Sequence, residues 1–127
     1  MDSLVLENLL GKKIENIEIF LKNDNTYQYT ILEKVIFYLD DKALILTPVV
    51  DTDEIKIDVY DAEKTVFQTT QPHILSKFIG LNLNYTWNGI NTKGYFDVFL
   101  MSFHNLTPSL MILSEGSSLK LFFLEQI

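Results

Sequence analysis

Carboxylates crowd one stretch of this chain. Asp51-Thr52-Asp53-Glu54 places three acids in four residues, and Asp58, Asp61 and Glu63 follow close behind. Oxygen donors of this kind suit magnesium or calcium, and acids held together could serve a small metal-dependent hydrolase. The spacing matches no established cage. An EF-hand counted from Asp51 needs a mid-loop glycine and a glutamate at its twelfth place, whereas this stretch has no glycine and reaches Ala62 there. Two other readings stand beside the metal site. One is a solvated turn in which Asp51 or Asp53 accepts backbone N–H bonds and Glu54 opens the wet face of the next strand; the other is an acidic patch facing a protein partner.

A second group lies at Trp87-Asn88-Gly89-Ile90-Asn91-Thr92-Lys93-Gly94-Tyr95-Phe96-Asp97. It holds the only tryptophan and sets a carboxylate, Asp97, between Phe96 and Val98 in an otherwise apolar run. A carboxylate there must reach solvent or be met by donors, since a buried charge stripped of its partner costs about 3–5 kcal/mol. The Trp87 indole N–H, the Asn91 amide and a lysine are the donors on offer. Either Asp97 braces the 88–94 turn while Trp87 fills the core, or the group forms an open polar cluster that displays Trp87 as an anchor for a ligand or partner. The candidate binding residues are therefore Asp51, Asp53, Glu54, Trp87, Asn88, Asn91, Tyr95 and Asp97; no residue is nominated as catalytic or metal-ligating, and no cofactor is expected.

Gly11-Lys12-Lys13-Ile14, Asp51-Thr52-Asp53-Glu54-Ile55, Trp87 with Asn91-Thr92-Lys93-Gly94-Tyr95-Phe96-Asp97, and Ser117-Ser118 together resemble a family of small uncharacterised bacterial proteins, common in cyanobacteria and known only as a domain of unknown function. The likeness covers most of the chain. It implies no assigned activity; its recurring motifs coincide with the two groups above.

Other chemistry fails on inventory. With no cysteine there is no thiol nucleophile, disulfide or zinc-thiolate site. His73 and His104 are the only histidines and neither has a companion at metal spacing. No G-x-S-x-G elbow, phosphate-binding glycine loop or H-E-x-x-H occurs. A Ser-His-Asp triad could be assembled on almost any fold with this composition, so its components carry no weight.

The elements that must position these residues read mainly as strands. Ile17, Ile19 and Leu21 alternate with polar or outward partners, Asn23-Asp24-Asn25 makes a turn, and Tyr27, Tyr29 and Ile31 keep period two. After Leu32-Glu33-Lys34 the alternation resumes out of phase at Val35, Phe37 and Leu39, which predicts a bulge or a bend. Asp40-Asp41-Lys42 is a reversal; Ala43 to Val50 is a nearly continuous apolar strand that Pro48 ends at an edge or bulge. Ile55, Ile57 and Val59 alternate cleanly. Leu81 to Trp87, Tyr95 to Phe103 (the most apolar strand, expected to be central) and a hairpin of Leu110–Leu113 and Leu119–Leu124 complete the set.

Helical signals occur twice. Ser3 to Leu10 stops at Gly11, and Thr70-Gln71-Pro72 opens a stretch with Ile74, Leu75, Phe78 and Ile79 on one face and Gly80 as its stop. Residues 3–60 and 71–124 share a coarse order and the matches Leu6/Leu75, Leu10/Ile79 and Gly11/Gly80, which either a duplication or a coincidence of pattern would give. The expected fold is α+β: a predominantly antiparallel sheet with two short helices, in two pseudo-repeated halves, forming one compact domain over 1–127.

Ten basic residues, all lysine, against 17 acidic ones give a net charge of −7, which weighs against nucleic-acid partners. The N-terminal acid, the absence of an apolar run near 20 residues and the lack of cysteine point to a soluble cytoplasmic protein that does not engage a membrane. The leading expectation is a non-enzymatic interaction protein, of an immunity or inhibitor type, that binds a basic protein partner. The alternatives are the metal-dependent hydrolase and a homodimeric accessory subunit that pairs through an edge strand.

Overall fold

The computed structural model describes residues 3–22, 30–62 and 72–124. The expected turn at Asn23-Asp24-Asn25, the alternation at Tyr27 and Tyr29, and Glu63, Thr70 and Gln71 lie outside the described residues. The elements are α1 (Ser3–Glu7), β1 (Ile14–Leu21), β2 (Ile31–Leu39), β3 (Lys42–Pro48), β4 (Ile55–Asp61), a 3-10 helix (Ser76–Phe78), β5 (Leu83–Ile90), β6 (Phe96–Phe103), β7 (Leu110–Glu115) and β8 (Ser118–Phe123). Every strand pair is antiparallel, and the sheet curls into a half-barrel.

The strands fall into two successive meanders. β1 pairs β2, β2 pairs β3 and β3 pairs β4; β5, β6, β7 and β8 follow the same scheme. Backbone pairing joins the two where Ile31 and Leu32 of β2 meet Lys120 and Leu119 of β8. Period-two alternation turns one set of side chains inward on each strand. Val35, Phe37, Leu44, Leu46, Phe99, Met101, Ile112 and Leu119 are all fully buried in one continuous core, which Leu6, Leu9, Leu75 and Phe78 close at one end. Each such side chain stabilises the fold by about 1.5–3 kcal/mol relative to exposure.

The predicted phase slip in β2 is present. Phe20 faces Lys34 while Leu21 faces Leu32, which leaves Glu33 as an extra, exposed residue and lets both Leu32 and Val35 point inward. Pro48 closes β3 opposite Ile55, beyond the last pair with β2 at Leu46, so its missing N–H deprives no partner there.

The two predicted helices do not survive at their expected length, and the fold is a β-sheet with almost no helix. α1 covers Ser3–Glu7 alone. Around His73 only the single 3-10 turn Ser76–Phe78 forms. The His73 amide donates to Ser76 Oγ at 2.7 Å and the Leu75 amide to His73 Nδ1 at 3.1 Å, so side chains take the donors that would start a longer helix. Ile79 is already extended, and Gly80 at φ +92° turns the chain away. A helix this short gains too few bonds to offset its nucleation cost.

Backbone pairing satisfies these ends instead. The Gly11 amide donates to the Leu83 carbonyl at 2.7 Å and the Leu83 amide to the Lys12 carbonyl at 2.9 Å; the Gly80 amide donates to the Ile14 carbonyl at 2.8 Å and the Ile14 amide to the Leu81 carbonyl at 2.8 Å. The four bonds form two equivalent pairs, with Gly11-Lys12-Lys13-Ile14 set antiparallel to Gly80-Leu81-Asn82-Leu83 about the Lys13–Asn82 bridge.

Candidate functional site

The β3–β4 loop is built by its own polar side chains. The Val49 amide donates to the Glu54 carbonyl at 2.7 Å and the Asp53 amide to the Val49 carbonyl at 2.9 Å, closing a loop in which Asp53 takes φ +56°. The Thr52 hydroxyl donates to Glu54 Oε1 at 3.0 Å, and Glu54 Oε2 accepts the Phe96 amide at 3.3 Å. Asp53 Oδ1 accepts the Ser117 amide at 3.2 Å. Two acids of the cluster thus tie this loop to β6 and to the β7–β8 turn. Asp58 lies 3.7 Å from Lys56, and Asp61 accepts a hydrogen bond from Lys42; that bond, reinforced by the opposite charge, lowers the Asp61 pKa and raises that of Lys42.

The turn between β5 and β6 is organised by Asn91. Its Oδ1 accepts the Lys93 amide at 2.9 Å and the Tyr95 amide at 3.2 Å, and Gly94 supplies a left-handed residue at φ +87°. Its Nδ2 donates to Asp97 Oδ2 at 3.2 Å. Gly89 pairs with Val98 and Ile90 with Phe96, so Asp97 is the extra residue of a bulge. That explains a carboxylate inside an apolar strand: Asp97 leaves the ladder, stays half-exposed and braces the turn. A strict period-two reading would put Tyr95 and Phe99 on its face; the bulge removes that relationship.

These pieces meet in one open cleft of about 540 Å³, lined by Asp51, Thr52 and Asp53 on one side, Asn91 to Lys93, Tyr95 and Asp97 on another, and Leu113, Ser114 and Glu115 at the end of β7. Five of the candidate residues converge there. Glu54 lies behind the wall, in a smaller hollow with Phe96, and Asn88 lines a separate one with Leu6 and Leu10. Among the described residues no three His, Asp or Glu side chains are placed to hold a metal ion. His73 is engaged at both nitrogens, since Nδ1 accepts the Leu75 amide and Nε2 donates to the Ile17 carbonyl at 2.7 Å. His104 is an exposed turn residue at φ +64°.

Trp87 does not fill the core. It sits half-buried on the outer face of β5, its ring 6.1 Å from that of Tyr85. The ladder aligns Trp87, Leu100, Met111 and Phe122 in one row across four strands, with Tyr85 and Phe122 exposed at 44% and 41%. The corresponding row of the first meander is Glu18, Ile36, Ile45 and Asp58, acidic at both ends. There the Tyr38 hydroxyl donates to Glu18 at 2.5 Å and Lys34 lies over the Phe20 ring, so polar groups roof the apolar centre. The outer row of the second meander has no charged member. Leu113 belongs both to this face, in register with Val98 and Lys120, and to the lining of the acidic cleft.

Sequence reasoning missed this face because a strand apolar on both sides reads as a buried, central one. β6 is indeed flanked by β5 and β7, but Val98 and Leu100 on its outer face are only half-buried. The available signal was the joint register of Trp87, Leu100, Met111 and Phe122, which only the pairing reveals. Among the described residues no helix is long and apolar enough to cross a membrane. No curated protein and no solved structure matches the chain. Its whole length, residues 1–127, matches the Family of unknown function (DUF6334), and the chain belongs to that family.

Proposed function

We propose that this is a non-enzymatic interaction protein of an inhibitor or immunity type, which binds a basic protein partner through the outer face of β5 to β8. The observation that carries the reading is the uncharged row Trp87, Leu100, Met111 and Phe122. Aromatic and methionine side chains on a rigid sheet are what interface centres use, and a contiguous apolar patch marks interaction surfaces. Acidic groups in the cleft that Leu113 shares with this face, with a net charge of −7, would speed encounter with a cationic partner and favour it over acidic ones.

The hydrolase reading has weaker support: Asp53, Glu54 and Asp97 each hold a backbone or amide group, an arrangement that suits loop bracing. We also infer that the two meanders derive from one duplicated unit; the paired bonds at Gly11 and Gly80 support this. In that case the row Trp87, Leu100, Met111 and Phe122 has lost the end charges that Glu18 and Asp58 supply in the first meander.

The test is to mix the purified chain with the products of its neighbouring genes and measure binding by calorimetry, beside a Met111→Glu variant. A complex with a basic neighbour that Met111→Glu abolishes would support the proposal; binding unaffected by that substitution would overturn it. Sedimentation of the chain alone decides the homodimeric alternative: a dimer that Met111→Glu dissociates would assign the face to a second copy.

A further inference from the structure

We infer that two copies of the chain pair antiparallel through the free edge of β5, about a two-fold axis at Trp87, leaving the outer face of each copy open to the partner. This dimer goes beyond the interaction reading and does not depend on it. β4 and β5 end the path of hydrogen-bonded strands. Natural sheets protect such edges with charge or proline, because unpaired N–H and C=O groups recruit another strand. β4 is protected in this way, since it carries Lys56, Asp58 and Asp61. From Gly80 to Thr92, by contrast, there is no charged residue and no proline. At the start of β5 the chain fills the edge itself, where Leu83 bonds Gly11 and Lys12. Beyond Leu83 no backbone bond is made on that side among the described residues.

The free stretch is complementary to itself. Its ladder with β6 is regular from Tyr85 to Gly89, between register shifts at Leu83/Tyr85 and Gly89/Ile90. Trp87 is the middle residue of that run. Antiparallel pairing that uses the whole run therefore sets Trp87 opposite Trp87 of the second copy, Tyr85 opposite Gly89, and Thr86 opposite Asn88. Two indoles then meet on the outer face, where cross-strand aromatic pairs stabilise a ladder. Gly89 is bare because Val98 crowds it, an added Cβ lying 3.0 Å from the Val98 Cβ; an exposed tyrosine ring laid across an edge glycine covers the backbone that no side chain can. Thr86 and Asn88 share the inner face and line a hollow of about 220 Å³ with Leu6 and Leu10, which leaves room for the facing pair. The stretch offers no carboxylate to select a basic segment. What it matches is an uncharged strand with aromatics at its own spacing, and β5 of a second copy is such a strand; the net charge of −7 sets no like charges opposite each other along it.

The experiment is sedimentation equilibrium of the full chain over a concentration series, beside Met111→Glu, Trp87→Lys and Trp87→Glu. A dimer is expected for the wild type and for Met111→Glu. Trp87→Lys and Trp87→Glu should each sediment as monomers, because like charges then face each other across the axis, and an equimolar mixture of the two should recover the dimer as opposite charges meet. Loss of a merely structural tryptophan would not be restored by mixing. In the wild type, hydrogen exchange at alternate amides from Tyr85 to Gly89 should slow as concentration rises, a readout that needs no variant. A chain that is monomeric at every concentration, a dimer that Met111→Glu dissociates, a dimer that Trp87→Lys leaves intact, folded variants that stay monomeric when mixed, or exchange that ignores concentration would each overturn the inference. Should the chain be monomeric while Met111→Glu still abolishes partner binding, the edge pairing falls and the interaction face stands.

Discussion

The Gly11 amide lies 2.7 Å from the Leu83 carbonyl oxygen, and the same bond recurs at 2.8 Å between the Gly80 amide and the Ile14 carbonyl. Both glycines occupy left-handed backbone, at φ +86° and +92°, and a Cβ on either would meet no heavy atom within 4 Å. Substitution therefore costs conformation and not space. Gly11→Ala and Gly80→Ala should each lower stability by about 1–2 kcal/mol in urea unfolding. A much larger loss would point to a steric clash that this geometry does not contain.

Tyr38 gives a pH signature. Partial burial, then the hydrogen bond to Glu18 and the charge on that carboxylate, push its phenol up from 10.0 to about 12. A raised folded-state value means that folding favours the protonated phenol. Its contribution is complete below pH 10 and is lost as pH rises through 12. Wild type should accordingly lose more stability between pH 10 and 12 than Tyr38→Phe, and ultraviolet titration of the variant should lack the late-ionising phenol. Identical stability profiles would contradict this.

Glu54 joins the β3–β4 loop to β6 through Thr52 and the Phe96 amide. Glu54→Ala leaves both donors without their acceptor and should cost about 1 kcal/mol, the net worth of a partly exposed hydrogen-bond pair. Faster hydrogen exchange at Phe96 is the local readout; unchanged exchange would mean that the bond does not hold the loop.

Asp97 and Phe99 stand two residues apart in β6 and should respond in opposite ways. Asp97→Asn keeps an acceptor for Asn91 outside the ladder, so its stability should stay within about 0.5 kcal/mol of wild type. Phe99 is fully buried, and Phe99→Ala should cost about 3–5 kcal/mol. A large penalty for Asp97→Asn would show that its charge, beyond its role in the turn, supports the fold.

Much of this architecture is legible in single residues. The phase slip after Leu32 announced the bulge at Glu33, because alternation reports directly which side chains face the core. Asp97 also resides in a bulge, yet nothing in its neighbours breaks the apolar run, so its register shift could not be read. The stretch after Pro72 failed as a helix for a local reason: Ser76 and His73 take the backbone donors that helix spacing assigns elsewhere. Convergence of Asp51, Asp53, Asn91, Tyr95 and Asp97 depends on pairing between strands far apart in sequence, which local pattern does not encode.

The pairing of β2 with β8 also bears on how the chain reaches this structure. Each meander is made of neighbouring strands and can form from short loops, whereas Leu32 must wait for Leu119 and Lys13 for Asn82 before the halves are joined. Closing such long loops carries an entropic cost that local hairpins do not meet, and it slows folding in sheet proteins. The two meanders are thus the expected early units, and hydrogen exchange should find the amides of their seam opening before those within each meander.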